Sequence, residues 1–319
     1  MKKEGSLRVV FMGTPDFAVA SLRTLQESGI QIVAVVTATD KYGGRGRKKL
    51  IESAVKRYAV AQDIPVLQPK NLKSESFLEE LATYKADLQV VVAFRMLPEV
   101  VWNMPPKGTI NLHASYLPNY RGAAPINWAV INGEKESGVT IFKLKHAIDT
   151  GDLIMRKKVP IAPNETAGSL HDKLMNEGAQ LLTEAVLMIE NDTVSYSPQD
   201  LSGEYPKAPK IYTETAAIDF SKSAHEIDWF IRGLSPYPGA WLSIDGQIIK
   251  VFSADYTIGG EGSIGQIRQE GLNLFIKCKD GWIQPIEVKP SGKRKMNTKD
   301  WLNGATIEAT YIEITGLSE

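Results

Sequence analysis

Cysteine is almost absent from this chain of 319 residues: Cys278 is the only one, so no internal disulfide can form and a reducing cytoplasm suits the protein best. Histidine is scarce as well. The four residues His113, His146, His171 and His225 are scattered without zinc-type spacing, which gives no reason to expect a resident metal. Net charge is missing, since Lys+Arg and Asp+Glu both number 37, and the molecule as a whole has no steering field for a polyanion. No apolar run approaches the roughly 20 residues of a membrane span. The first one, Val9 to Met12, is broken at once by Gly13-Thr14-Pro15-Asp16 and lacks the core of a signal peptide, so neither membrane association nor a leader is expected. Internal repeats and low-complexity segments are also lacking. What remains is 43% hydrophobic and 23% charged, an ordinary globular composition long enough for two domains.

The neutral total hides two basic patches. Lys41 to Lys49 carries Lys41, Arg45, Arg47, Lys48 and Lys49 with no acid among them, spaced by glycines. Between Lys277 and Lys299, seven cations that include Lys293, Arg294 and Lys295 face only Asp280 and Glu287. A solvated surface turn is the ordinary explanation for either patch.

Apolar periodicity predicts strands at Leu7 to Met12, Ile30 to Val36, near Val66, and at Leu88 to Phe94. Helices alternate with them: one with Thr14 as N-cap and Pro15 in its first turn, one over Ile51 to Ala61, and one over Ser74 to Tyr84. A helical turn near Pro98 to Trp102, the strand around Asn111 and a helix over Pro125 to Ile131 follow. Strands at Gly138 to Lys143 and Ile154 to Ile161 and a long helix over Ala167 to Ile189 complete this part. Strands alternating with helices in near-continuous Val/Ile runs imply an α/β fold: a doubly wound, Rossmann-like, mostly parallel sheet covered on both faces. The polar stretch 193–209 is the expected linker between domains 1–192 and 210–319. Beyond it, a helix over Ser223 to Arg232 precedes strands punctuated by Asp245-Gly246, Gly259-Gly260, Glu270-Gly271 and Asp280-Gly281. Such turns at regular spacing suggest a small β-barrel, OB-like, or a sandwich.

The most informative segment is Gly108 to Ala114. Alternation puts Ile110 and Leu112 on one face of a strand and Asn111 and His113 on the other, so an amide and an imidazole share a face. The strand breaks into Ser115-Tyr116-Leu117-Pro118, which places the pair near the carboxyl end of a sheet strand, where open α/β sheets hold ligands. Asp149, in Ile148-Asp149-Thr150-Gly151-Asp152, is the third member of the set. Each residue alone has an ordinary structural use: a strand-end amide, a core histidine, a turn cap.

Asn111-x-His113 with Ser115 to Pro118, Arg121-Gly122-Ala123-Ala124-Pro125 and Asp149 to Asp152, taken in order, resembles the folate-dependent formyltransferase family. The likeness runs from Phe11-Met12-Gly13-Thr14-Pro15-Asp16-Phe17 to Pro236-Tyr237-Pro238-Gly239-Ala240-Trp241. It implies Asn111, His113 and Asp149 as catalytic residues, and 10-formyltetrahydrofolate as formyl donor, held by Ser115, Tyr116, Leu117, Pro118, Phe94, Met96 and Leu97. It also implies methionyl-initiator tRNA as acceptor, met by Arg45, Arg47, Lys48 and Lys49 in a basic insertion loop, 38–50, of the catalytic domain 1–192, and by Lys293, Arg294 and Lys295 in the domain 210–319. No obligate protein partner is suggested.

Two departures from the family pattern stand out: Phe94 to Pro98 is one residue shorter than a common form, and Lys145-His146-Ala147 replaces an acid and a glycine, which makes His146 a local variant. Formylation of a small amine remains an alternative within the class. A nicotinamide-dependent oxidoreductase is weakened because Gly13-Thr14-Pro15-Asp16-Phe17 lacks G-x-G-x-x-G. A non-catalytic RNA-binding protein would leave the Asn111, His113 and Asp149 set without a use.

Overall fold

The structure, a computed structural model, describes residues 6–43, 46 and 49–312. They form two compact units. One comprises 1–122, 137–159 and 171–207, and the other comprises 123–136, 160–170 and 208–319.

In chain order the elements up to residue 190 are β1 (Arg8–Gly13), α1 (Asp16–Glu27), β2 (Gln31–Val36), β3 (Lys41–Gly43), β4 (Lys49–Ile51), α2 (Ala54–Ala61), β5 (Val66–Leu67), α3 (Glu75–Thr83), β6 (Leu88–Val92), α4 (Glu99–Trp102), β7 (Thr109–His113), β8 (Arg121–Gly122), α5 (Pro125–Ile131), β9 (Glu136–Lys143), β10 (Leu153–Pro160) and α6 (Ala167–Glu190). The first unit is built on a seven-stranded sheet of order β10-β9-β7-β6-β1-β2-β5. The pairs from β5 through β7 are parallel. β9 runs antiparallel to β7, with Ile110 opposite Lys143 and His113 opposite Thr140, so the sheet is mixed at that edge.

Both faces are covered, as a doubly wound sheet requires. On one face Val10, Met12, Val36 and Val91 pack with Phe77 and Leu81 of α3 and Val101 of α4. On the other, α6 comes so close to Leu112 that a Cβ on Gly178 would lie 2.9 Å from Leu112 Cδ2. α1 adjoins α6 through an edge-on contact of Phe17 with His171, ring centroids 5.1 Å apart. Asn111 and His113 therefore belong to the α3/α4 face, because strand alternation sets them opposite Leu112.

Three local expectations need correction. The N-cap of α1 is Pro15, without a side-chain cap, and not Thr14, because the chain stays extended one residue further (φ −83°, ψ 177°). α2 starts at Ala54 rather than Ile51: Ser53 accepts the Lys56 N–H and caps the helix, while Ile51 ends a strand. The segment 38–50, expected as a loop, contains a hairpin in which Lys41, Tyr42 and Gly43 of β3 pair with Ile51, Leu50 and Lys49 of β4. Arg45, Arg47 and Lys48 lie outside the described residues.

The remaining elements are β11 (Lys207–Ala208), a 3-10 turn (Glu214–Ala216), α7 (Ala224–Gly233), β12 (Ala240–Ile244), β13 (Gln247–Ile258), β14 (Ile267–Glu270), β15 (Asn273–Lys277), β16 (Gly281–Pro290), β17 (Met296–Asn297) and α8 (Thr298–Leu302). In the second unit β12-β13-β16-β15-β14 form an antiparallel sheet to which β17 adds beside β16. Register shifts at Ser253 bend β13, as bulges do. α7 opens with a capping box, in which Ser223 Oγ accepts the Glu226 N–H and Glu226 Oε2 accepts the Ser223 N–H. Its Ile227 and Ile231 lie in one core with Leu242, Val251, Ile276, Ile283 and Trp301. No helix among the described residues is long and apolar enough to cross a membrane.

Candidate active site

β7 is buried between β6 and β9, with Val91 and Phe142 flanking Asn111. On this strand Asn111 is partly open and His113 is buried. Among the described residues the Asn111 side chain makes no hydrogen bond, so its amide is available to a ligand.

His113 is held from one side. Its Nε2 lies 2.9 Å from the carbonyl oxygen of Tyr120, and a carbonyl can only accept, so Nε2 carries a proton there. Nδ1 is the other nitrogen, and it faces Asp149 Oδ2 at 3.9 Å. That is too long for a direct hydrogen bond. A polar atom about 2.8 Å from each would instead sit at the apex of a nearly right-angled triangle and bridge them.

Asp149 reaches His113 by a long return. β9 ends beside the start of β7, yet Asp149 meets the end of β7, so residues 144–149 run back over roughly 10 Å of strand. The turn is fixed at several points. Asp149 has φ 53°, Asp149 Oδ2 accepts the Gly122 N–H at 3.0 Å, and Gln199 Nε2 donates to the carbonyls of both Asp149 and Gly151 at 2.9 Å. A Cβ on Gly151 would lie 1.7 Å from the Lys143 carbonyl oxygen, so only glycine lets the two strands of the turn approach this closely.

Ser115 to Pro118 is ordered by its neighbours. Thr140 Oγ1, opposite His113 on β9, accepts the Leu117 N–H at 3.0 Å and donates to the Ser115 carbonyl at 2.7 Å. Ser115 Oγ donates to the Asn119 carbonyl at 2.6 Å. Arg156 Nη1 donates to the Leu117 carbonyl at 2.7 Å while its guanidinium stacks on Tyr116, 4.5 Å from the ring centroid. The Leu117–Pro118 bond is cis. Thr140, Arg156, Gln199 and the Tyr120 carbonyl thus join the site without having been singled out in the sequence.

The segment after β6 presents its residues unequally. Met96 is 73% exposed, Phe94 is half-buried, and Leu97 is turned into the core with Val101. Arg95 is anchored to the carbonyls of Pro69 and Lys70. With Lys70, Lys73, Met96, Pro98 and Asn103 it lines an open groove of about 1060 Å³. Asn111, His113 and Asp149 are not among its walls. His146 lies outside the convergence, exposed, paired with Glu99 at 3.1 Å and edge-on to Trp102. No three metal-ligating side chains are grouped among the described residues.

Of the basic residues, Lys49 is exposed on β4. Lys293, Arg294 and Lys295 are exposed in the turn between β16 and β17, and Lys295 is paired with Glu287 at 2.7 Å and stacked over Phe252.

Residues 7–186 match the family model described as formyl transferase, and residues 210–306 match the formyl transferase C-terminal domain. The methionyl-tRNA formyltransferase of Parabacteroides distasonis is 49% identical, covering 98% of this chain and 99% of that protein. The protein of the same name from Bacteroides thetaiotaomicron is 47% identical, again covering 98% and 99%. Among solved structures, an N-formyltransferase from Helicobacter canadensis in complex with folinic acid and dTDP-3-aminofucose aligns with a TM-score of 0.64 at 22% identity, over 88% of this chain and 98% of that one. HypX from Aquifex aeolicus with tetrahydrofolic acid aligns with a TM-score of 0.63 at 18% identity, over 93% of this chain and 47% of the HypX chain. At those identities the two structures establish a shared fold. The two domain matches, together with relatives of near-equal length, establish that this chain belongs to the formyl transferase family.

Proposed function

We propose that the chain transfers the formyl group of 10-formyltetrahydrofolate to the amino group of methionyl-initiator tRNA, with Asn111, His113 and Asp149 at the reacting carbon. The observation that carries this reading is the full-length likeness to proteins of that activity, joined to an uncommitted amide and a half-tethered imidazole on one strand face. Attack of an amine on a formyl carbon builds negative charge on the formyl oxygen, moves a proton off the attacking nitrogen and delivers one to the leaving nitrogen.

Asn111 supplies the N–H donor for the developing oxyanion, a role whose loss costs about 3–4 kcal/mol of barrier where it has been measured. His113 and Asp149 handle the protons. Because Tyr120 holds Nε2, the working nitrogen is Nδ1, and the bridging position between it and Asp149 Oδ2 is where a proton passes. The substrate amine has an ordinary pKa of roughly 7.7–8, so much of it is already free near neutral pH and no strong base is needed. The donor belongs against Ser115 to Pro118 and the half-buried or exposed Phe94 and Met96, while Leu97 supports that wall from within the core.

The same reading gives 1–192 to catalysis, 193–209 to a linker and 210–319 to tRNA binding. Arg45, Arg47, Lys48 and Lys49 are assigned to the acceptor end, where arginine suits phosphates and stacked bases. Lys293, Arg294 and Lys295 are assigned to the backbone. A single buried free cysteine suits a cytoplasmic setting, where charged tRNA is found.

The test is a formyl-transfer assay of the full chain with charged initiator tRNA and, separately, with nucleotide-linked amino sugars. Product on tRNA alone is expected, and product on the sugars alone would reassign the acceptor. His113→Ala and Asp149→Ala should each abolish most turnover, and the double variant should lose little more than either single one. Losses that multiply would separate the two residues.

A further inference from the structure

Lys56, in the first turn of α2, ties together both ends of the β3–β4 hairpin. Its ammonium donates to Asp40, the residue before β3, and lies 2.8 Å from Glu52 Oε1, the residue after β4. Asp40 is gripped a second time, by Gln68 Nε2 at 2.8 Å, and the same amide donates to the Ala38 carbonyl at 2.7 Å. Below these, the hydroxyls of Thr37 and Ser53 are 2.7 Å apart, and Ser53 caps α2 at the Lys56 N–H. The chain that enters the hairpin and the chain that leaves it are thus bolted to the same helix turn by one cation.

The Lys56, Asp40 and Glu52 side chains are 19%, 21% and 38% exposed. The hydrogen bonds from Lys56 and then Gln68 hold the Asp40 carboxyl below its usual range, and Asp40 followed by Glu52 raises the Lys56 ammonium. Both members stay charged across neutral pH. Among the described residues of the hairpin, the apolar side chains of Tyr42, Leu50 and Ile51 are 69%, 45% and 51% exposed, so none of them is buried in the core.

We propose that Lys56 is a positioning residue for the tRNA acceptor: through Asp40 and Glu52 it sets the direction of the β3 and β4 strands, whose exposed Lys41 and Lys49 are the described cations of the basic segment. The proposal rests on the reading above that this segment meets tRNA. Freed of the clamp, the hairpin would have to be ordered by each incoming tRNA, at a cost that appears in KM for tRNA and not in the chemical step.

The experiment compares the full chain with Lys56→Met, Lys56→Arg and Arg45→Ala, using charged initiator tRNA and a non-reactive folate analogue. Lys56→Met should raise KM for tRNA roughly five- to ten-fold, the cost of re-ordering a few side chains. Turnover at saturating tRNA and affinity for the analogue should be unchanged, and amide exchange at Tyr42 and Leu50 should accelerate. Lys56→Arg should recover most of the loss, since a guanidinium can span two carboxylates. An unaltered KM in Lys56→Met beside a raised KM in Arg45→Ala would overturn the clamp alone. Silence in both would overturn the assignment of this segment to tRNA, and the clamp with it. Loss of analogue affinity in Lys56→Met would show a general structural role and overturn the proposal.

Discussion

Replacing Thr140 by valine keeps the shape of the β9 side chain and removes one hydroxyl, which makes it the sharpest probe of the Ser115 to Pro118 segment. That hydroxyl accepts from the Leu117 N–H and donates to the Ser115 carbonyl, and Thr140, Leu117 and Ser115 are all fully buried. Valine therefore orphans two backbone groups at once. A buried group left without a partner costs about 1–3 kcal/mol, so the pair sets a loss of about 2–6 kcal/mol if nothing moves. The segment is also held by Arg156 at the Leu117 carbonyl and by its own Ser115–Asn119 bond, so it cannot swing freely to water. We expect about 2–4 kcal/mol, a large part of a typical total stability of about 5–15 kcal/mol, together with weaker folate-analogue binding. Urea unfolding of the wild type, Thr140→Val and Thr140→Ser gives the comparison. The serine variant keeps both hydrogen bonds and loses one methyl, about 0.8 kcal/mol. A valine variant within about 0.5 kcal/mol of wild type with unchanged analogue affinity would refute the claim that this hydroxyl orders the segment.

Gly151→Ala should cost most of the turnover while the second unit keeps its near-UV spectrum, because a Cβ 1.7 Å from the Lys143 carbonyl must push the Asp149 turn away from His113; full activity would show that the turn has room to shift. Cys278 is fully buried, and burial raises its thiol pKa, so thiol reagents at neutral pH should react only after denaturation; prompt labelling of the native protein would contradict that packing. The stability lost in Lys56→Met should be flat from about pH 5 to pH 9. It should shrink as pH falls through the depressed folded value of Asp40, below its ordinary 3.8, and at the alkaline end as pH rises through the raised folded value of Lys56, above its ordinary 10.5. Pairwise unfolding curves across pH would reveal any slope between those limits, which would assign the loss to something other than the ion pair.

The shared face of the amide and the imidazole could be read from period-two alternation, whereas Asp149 joined them only through the ordered family motifs. Asn111 and His113 had to share a face, and the break after Ala114 had to put them at a strand end. The partners that complete the site carry no such signal. Tyr120 acts through its carbonyl, which every residue owns, and Thr140 sits in a Val-Thr-Ile-Phe run where threonine reads as one more β-branched strand former. Gln199 lies in a stretch whose polarity suggests only a linker, and its contacts with Asp149 and Gly151 exist only because the 144–149 turn folds back. The hairpin of Lys41 to Ile51 was hidden by glycines and cations that favour a loop, although Ser53 was available as the cap that marks the true start of α2. The antiparallel placement of β9 was equally invisible, since a strand's apolar content does not report its direction.

The tether between His113 and the Tyr120 carbonyl is written in the main chain. That oxygen belongs to the backbone, so the imidazole's tautomer answers to the path of the main chain at residue 120. Backbone geometry is the vulnerable quantity instead: Tyr120 occupies φ 58°, a conformation most residues avoid and β-branched ones resist strongly. The torsion a residue can accept therefore bears directly on the histidine, and a valine there would shift the carbonyl that holds its Nε2.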